Sequence, residues 1–229
     1  IVVVRPFQTL FIDWMGGRFP KSKRGNRYIF VMICPFLRWP IAVATPDKTA
    51  ESAARAVMNH VVFEYGPPER IWSDRAQEFI GHIMTVIGKH FNMPVGATTG
   101  YQPQANVAER AMQYLQQGMT FMVDRHKDNW DEFIMPIIFL YRISANRTNG
   151  FSPFFLNFGR HPRLPVPAML GLHEPTEYYN ENEYVQQVSE ALKEAYDLTR
   201  SRQMTIKQKD KERRDAQRSI PLHLEVGQW

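Results

Sequence analysis

Three carboxylates sit where chemistry could gather them. Asp13 lies inside the strand-like run Leu10-Phe11-Ile12-Asp13-Trp14-Met15, Asp74 closes the run Arg70-Ile71-Trp72-Ser73, and Glu109 falls in the first turns of a long helical pattern. Acids are poor strand formers, so an aspartate among Phe11, Ile12 and Trp14 calls for a reason. Hard oxygen ligands suit divalent cations of the magnesium class. Two such ions about 3.5–4 Å apart can clamp the attacking and leaving oxygens of an in-line displacement at phosphorus. In that arrangement Asp13, on a first strand expected to be central, bridges both ions, and Asp74 and Glu109 take one each. No separate base is required, because a metal lowers the pKa of a bound water or hydroxyl. Taken singly, Asp13 also fits an edge-strand acid facing water, and Glu109 fits a first-turn acid favoured by the helix dipole.

The elements that must hold these acids follow from hydrophobic periodicity. Residues 7–15, 28–34 and 39–44 read as three β-branched and aromatic strands, joined closely enough to begin antiparallel. Thr49 can cap a helix over residues 49–65, with Glu51 in its first turn and Ala53, Ala54, Val57, Met58 and Val61 as its buried stripe. Gly66-Pro67-Pro68 stops it, and the strand leading to Asp74 follows as a crossover partner, hence parallel to its neighbour. A helix over 77–91 and a short fifth strand over 93–97 come next. Residues 98–105 read as a loop, and residues 106–124 as a helix burying Ala108, Met112, Leu115, Met119 and Met122. Residues 129–146 form a further helix that Pro136 should kink or split. Residues 151–167 read as a proline-punctuated irregular strap, and residues 183–217 as one long helix with Val185, Val188, Leu192, Ala195 and Leu198 in register.

The totals bound the class. The chain has 229 residues and 44% apolar content, enough for one sizeable core plus an appendage. No apolar run reaches the roughly 20 residues of a membrane-spanning helix, so no membrane partner is expected. Cys34 is the single cysteine, which rules out an intrachain disulfide and a multi-cysteine zinc site within these residues. From Arg200 to Arg218 eight basic residues face three acids, a surplus of five that equals the chain's whole formal charge of +5. Such a run can be a solvated helix face; attached to a phosphotransfer core, it reads as an arm lying along phosphates.

The order of several motifs carries a resemblance. R-P-F-Q-T-L-F-I-D, G-N-R-Y-I-F-V, F-L-R-W-P-I-A and F-E-Y-G-P-P-E-R-I-W-S-D-R are followed by Y-Q-P-Q-A-N, E-R, S-A-N-R-T-N-G-F-S-P-F and G-R-H-P-R-L-P. Together they resemble the catalytic core of Gypsy-type long-terminal-repeat retrotransposon and retroviral integrases. The resemblance implies an α/β, ribonuclease-H-like fold: a mixed five-stranded sheet flanked by helices, with a C-terminal helical linker. It implies a core over residues 1–172, an acidic linker and long basic helix over 173–218, and the start of a truncated C-terminal β-barrel over 219–229. Asp13, Asp74 and Glu109 are then the catalytic, metal-binding carboxylates for two Mg2+ (or Mn2+) ions. Residues 98–108 are then the active-site loop, with Tyr101, Gln104, Asn106 and the adjoining Arg110 as DNA contacts. Lys207, Lys209, Arg213 and Arg214 extend that surface. The expected partners are DNA, as element ends and target, and further copies of the chain in a homo-oligomer. The expected location is the nucleus, with the cytoplasm before import.

Some positions depart from the family pattern. Ala76 stands in place of the glycine two residues after the second aspartate, and Gln102 in place of the loop histidine. Cys34 replaces an acid on the second strand, and the stretch from Gln104 to Glu109 is one residue short and lacks its glycine. Two readings therefore stand: a working enzyme that processes DNA 3′ ends and transfers strands, or a domesticated relative that binds DNA or protein without catalysis. An unrelated nuclease of the same fold would leave the long helix and L-E-V-G-Q-W unexplained.

Overall fold

A computed structural model describes residues 5–16, 19–73, 105–125, 127–146, 150–164 and 181–218. Strand β1 (Thr9–Gly16) pairs antiparallel with β2 (Tyr28–Cys34), which pairs antiparallel with β3 (Trp39–Thr45). Strand β4 (Arg70–Ser73) adds to the other side of β1 in parallel, giving the order β3-β2-β1-β4. The described sheet therefore has four strands; the expected fifth strand and the 77–91 helix lie outside the described residues. Strand β1 is interior, so Asp13 is not an edge-strand acid. It begins at Thr9 rather than at residue 7, because Phe7 has φ +51° and leaves the extended region.

Both faces of the sheet are covered, and strand alternation divides the core accordingly. Leu10, Ile12, Trp14, Phe30, Met32, Trp39 and Ile41 face one side, under α1 (Ala50–Val57) with Ala53, Ala54 and Val57. Thr49 caps this helix by accepting from the Ser52 amide, as its sequence position requires. The helix does not stay α: it widens into a π turn over Met58–Val62 and closes with an α turn at Phe63–Tyr65 before Gly66, at φ +87°. Met15, Ile29, Val31, Ile33 and Ala42 face the other side, under α2 (Ala105–Arg125) and α3 (Ile134–Ile143). These helices cross closely at Gly118, where an added Cβ would lie 2.9 Å from Ile137 Cγ2.

The segment after α2 is split, as expected, but as a change of helix type ahead of the proline. A 3-10 turn, Trp130–Phe133, precedes α3, and the change falls at Ile134, two residues before Pro136. Pro136 therefore occupies the first turn of α3, where its missing N–H costs no helical bond. The 3-10 turn fastens the β1–β2 connection. Trp130 Nε1 donates to Pro20 O at 2.8 Å, and Asp131 Oδ2 accepts from Ser22 Oγ at 2.9 Å and Asn26 Nδ2 at 2.7 Å.

Two expectations near the C-terminus are corrected. Residues 151–167 are not irregular throughout: α4 (Pro153–Phe158) begins at Ser152, whose hydroxyl accepts from the Phe155 amide, and ends at Gly159 in the left-handed region. Serine followed by proline at the first helical position is a strong start signal, and its phenylalanines pack on Trp39. The long helix is observed as α5 (Glu181–Arg218), but Val185 and Leu198 are exposed. Its inner face instead runs through Val188, Leu192, Ala195 and Thr199, the last two buried, because α5 docks on α4 and on the turn between β2 and β3. There Tyr196 donates to Leu156 O at 2.9 Å and meets Phe36 edge-on at 5.4 Å. Gln203 Nε2 reaches Phe36 O at 3.4 Å. This cover explains why residues 35–38, a hairpin turn, are buried along their whole length.

Candidate functional site

Asp13 is the fifth residue of β1 and is half-buried among buried neighbours. Its register partner is Val31, and Met15 shares its parity, so Asp13 lies on the α2 side of the sheet. One carboxylate oxygen, Oδ1, accepts from the Trp14 amide at 2.7 Å, which fixes the side chain's rotamer. The parallel ladder with β4 ends at Ile12↔Ser73. Sequence continues from those partners to Asp13 and Asp74, and Asp74 itself lies outside the described residues.

Glu109 stands on α2, one turn beyond its start and beside the buried Ala111. It is exposed, and Gln113 Nε2 donates to its Oε1 at 3.4 Å. The stripe that anchors α2 is Ala111, Leu115 and Met119, with Met112 and Met122 half-buried, so Glu109 falls on its margin. The helix bearing Glu109 thus packs on the sheet face bearing Asp13. Among the described residues no three His, Cys, Asp or Glu side chains form a metal-holding group. The acids singled out by sequence nonetheless offer oxygen donors only, the ligand chemistry that magnesium and manganese take.

Of the expected DNA contacts, Tyr101 and Gln104 lie outside the described residues, and Asn106 is in the first turn of α2. Arg110 is exposed. On α5, Lys209 and Arg213 are exposed, whereas Lys207 is half-buried, and burial pulls its ammonium below the ordinary lysine range. Arg214 is part of the same helix. Cys34 is fully buried; Phe7 N donates to its Sγ at 3.2 Å, and desolvation pushes its thiol up.

Sequence reasoning passed over a second group of charges. Arg142 on α3 lies 3.9 Å from the centroid of the Trp39 ring, and its Nε and Nη2 donate to Pro40 O at 3.0 and 2.6 Å. Burial lowers its pKa to about 10, an effect that Tyr65 and Glu64 oppose. Beside it stands Arg38, buried at the end of the β2–β3 turn. The signal for it was a charged residue wedged between Leu37 and Trp39 in an otherwise apolar run.

Residues 3–103 match the family model of the integrase core domain. The likeness is to retroelement integrases. The retrovirus-related Pol polyprotein from transposon 412 of Drosophila melanogaster is 26% identical over 222 residues, which are 96% of this chain and 18% of that polyprotein. Gypsy retrotransposon integrase-like protein 1 of Homo sapiens is 24% identical over 237 residues, covering 98% of this chain and 44% of the relative. The chain thus spans less than half the length of either. Among solved structures, the HTLV-2 integrase catalytic core domain in complex with magnesium superposes with a TM-score of 0.51 at 12% identity, over 65% of this chain and 94% of that one. The mixed sheet between helix layers is therefore an integrase catalytic core fold.

Proposed function

We propose that this chain is the core of a retroelement integrase that trims DNA 3′ ends and joins them to target DNA. The observation that carries the reading is Asp13: a half-buried carboxylate on an interior strand, on the face covered by the Glu109 helix and one step beyond the β1–β4 ladder that leads to Asp74. In end trimming a water oxygen attacks phosphorus and the sugar 3′-oxygen leaves. In strand transfer the freed 3′-hydroxyl attacks a target phosphodiester and the target's own 3′-oxygen leaves. Magnesium or manganese held by Asp13, Asp74 and Glu109 would supply Lewis acidity and lower the pKa of the attacking group. The Trp14 amide holds Asp13 in one orientation, and Gln113 restrains Glu109. Exposed Lys209 and Arg213 on α5 neutralise phosphates and bind without sequence preference. The partners in this reading are element ends, target DNA and further copies of the chain, and the place of action is the nucleus.

A second reading, a domesticated relative without catalysis, is favoured by Ala76, Gln102 and the shortened stretch before Glu109. Calorimetric titration of magnesium and manganese separates the two, run with a short branched DNA duplex present, on the parent and on Asp74→Asn and Glu109→Gln. Saturable binding lost in both variants, together with strand joining by the parent, is the expected result. A folded parent that takes up no metal with DNA present would sink the enzyme reading.

A further inference from the structure

The buried turn between β2 and β3 ends in a charge. Arg38 has φ +57°, is only 7% exposed, and its Nε has no hydrogen-bond partner. A guanidinium does not give up its proton at ordinary pH, and an unpaired buried charge is among the most destabilising features a fold can carry. An arginine kept for the fold ends on an acceptor, as Arg142 does on Pro40 O. Arg38 forms no ion pair with any carboxylate among the described residues.

Among the described residues, the titratable groups that act on it are Tyr141 and Arg110. Arg142 over the Trp39 ring brings the pair Tyr141 and Arg142 against the pair Arg38 and Trp39. Tyr114 meets Tyr141 edge-on at 5.2 Å, and Arg110 lies one turn earlier on the same side of α2. Burial holds Arg38 below the ordinary guanidinium value; Tyr141 opposes that shift and Arg110 adds to it. Burial likewise raises the Tyr141 hydroxyl, against the pull of Arg38 and Arg110. Among the described residues no carboxylate pairs with Arg38, and the cluster of Arg38, Tyr141 and Arg110 reaches solvent along Arg110 and Tyr114, both exposed.

We propose that Arg38 and Arg110, with the Tyr141 hydroxyl, bind one phosphodiester of the DNA backbone. The assignment rests on the integrase reading and adds to it a fixed point on the strand. Guanidinium forks take phosphate oxygens in pairs, and a phenol can donate to a third oxygen. Because Arg110 directly follows Glu109, a phosphate held here sets the register of the strand against the candidate catalytic helix. Contacts of this kind position nucleic acid without reading its sequence.

Fluorescence anisotropy of a labelled duplex tests this over a series of salt concentrations, with the parent, Arg38→Met and Arg110→Gln. Each variant is expected to weaken binding by about tenfold at low salt and to reduce the slope of log K against log salt by about one. Without DNA, Arg38→Met is expected to melt about 2–4 °C higher, because it removes the uncompensated charge. A melting point that falls, with DNA binding unchanged, overturns the assignment and makes Arg38 a structural residue. Inorganic phosphate against chloride at equal ionic strength forms a second arm. Protection of the parent by phosphate ion, with duplex binding unaltered in both variants, overturns the diester in favour of a free-ion site. A parent that binds no duplex overturns the integrase reading and this assignment together, whereas duplex binding retained by both variants overturns this assignment alone.

Discussion

Gly159 is the place where the long helix and the core constrain each other most tightly. It ends α4 at φ +69°, and a Cβ built there would lie 2.5 Å from Val188 Cγ1 and 3.3 Å from Leu192 Cδ1. Gly159→Ala therefore meets two separate penalties. The left-handed backbone costs an alanine about 1–2 kcal/mol relative to glycine. The overlap with Val188 forces α5 outward or the valine off its rotamer, at about 1–3 kcal/mol. Combined, the loss should be about 2–5 kcal/mol, read as a lower urea midpoint with an unchanged m-value. Val188→Ala removes the overlapped methyl group but leaves the backbone untouched. In that background the alanine at 159 should cost only the backbone share, so the double-mutant cycle should show the overlap share, about 1–3 kcal/mol, as coupling. Gly159→Asn, which tolerates the left-handed region better, should fall short of the alanine on the backbone share alone. A Gly159→Ala protein within about 0.5 kcal/mol of its parent, or a cycle without coupling, would refute the close packing of α5 on α4.

Three further outcomes are expected. Asp131→Ala releases the β1–β2 connection from the 3-10 turn and should cost about 2 kcal/mol in urea melts, since two donors lose a charged acceptor; Asn26→Ala should show coupling with it. Arg142→Lys keeps the charge but loses the fork on Pro40 O and the stacking on Trp39, and should lower stability by about 1–2 kcal/mol. Stability should fall as pH rises beyond the ordinary thiol value of 9.0, because the buried native Cys34 keeps its proton while the unfolded chain releases it. Cys34→Ala should flatten that fall by up to about 1.4 kcal/mol per pH unit, with Tyr65, Tyr141 and Tyr196 giving the same sign at higher pH.

What was legible in the sequence tracks how local the cause is. Strands β2 and β4 have the expected limits because β-branched runs are bounded by turns, and Thr49 caps α1 because its side chain lies next to the amide it serves. The π turn over Met58–Val62 left no trace in the apolar spacing. Helix α4 was hidden by its prolines and aromatic residues, although Ser152-Pro153 was a local start signal. The face of α5 was misread at Val185 and Leu198, since a mostly polar helix has its buried side chosen by the surface it lands on: Leu156, Phe36 and Gly159 are distant in sequence. Asp13 was recognisable as a type out of place, whereas Glu109 is an ordinary acid near a helix start that only its motif singles out; pairing register and packing add that they belong to facing layers. Arg38 is signalled by its place between Leu37 and Trp39, but its missing acceptor shows only in the packed structure.

The docking of α5 also makes it a lever. Its last contact with the turn, at Gln203, leaves the helix to Arg218 running about 22 Å further at 1.5 Å per residue. A tilt of about 10° at the docked end would move Lys209 and Arg213 by about 1.5 and 2.5 Å and Arg218 by about 4 Å at 1.5 Å per residue, enough to change which phosphate oxygen each one meets. The small side chains at Gly159 and Ala195 therefore act as a bearing, and the direction in which Lys209 and Arg213 meet a phosphate backbone is set where no charge is present.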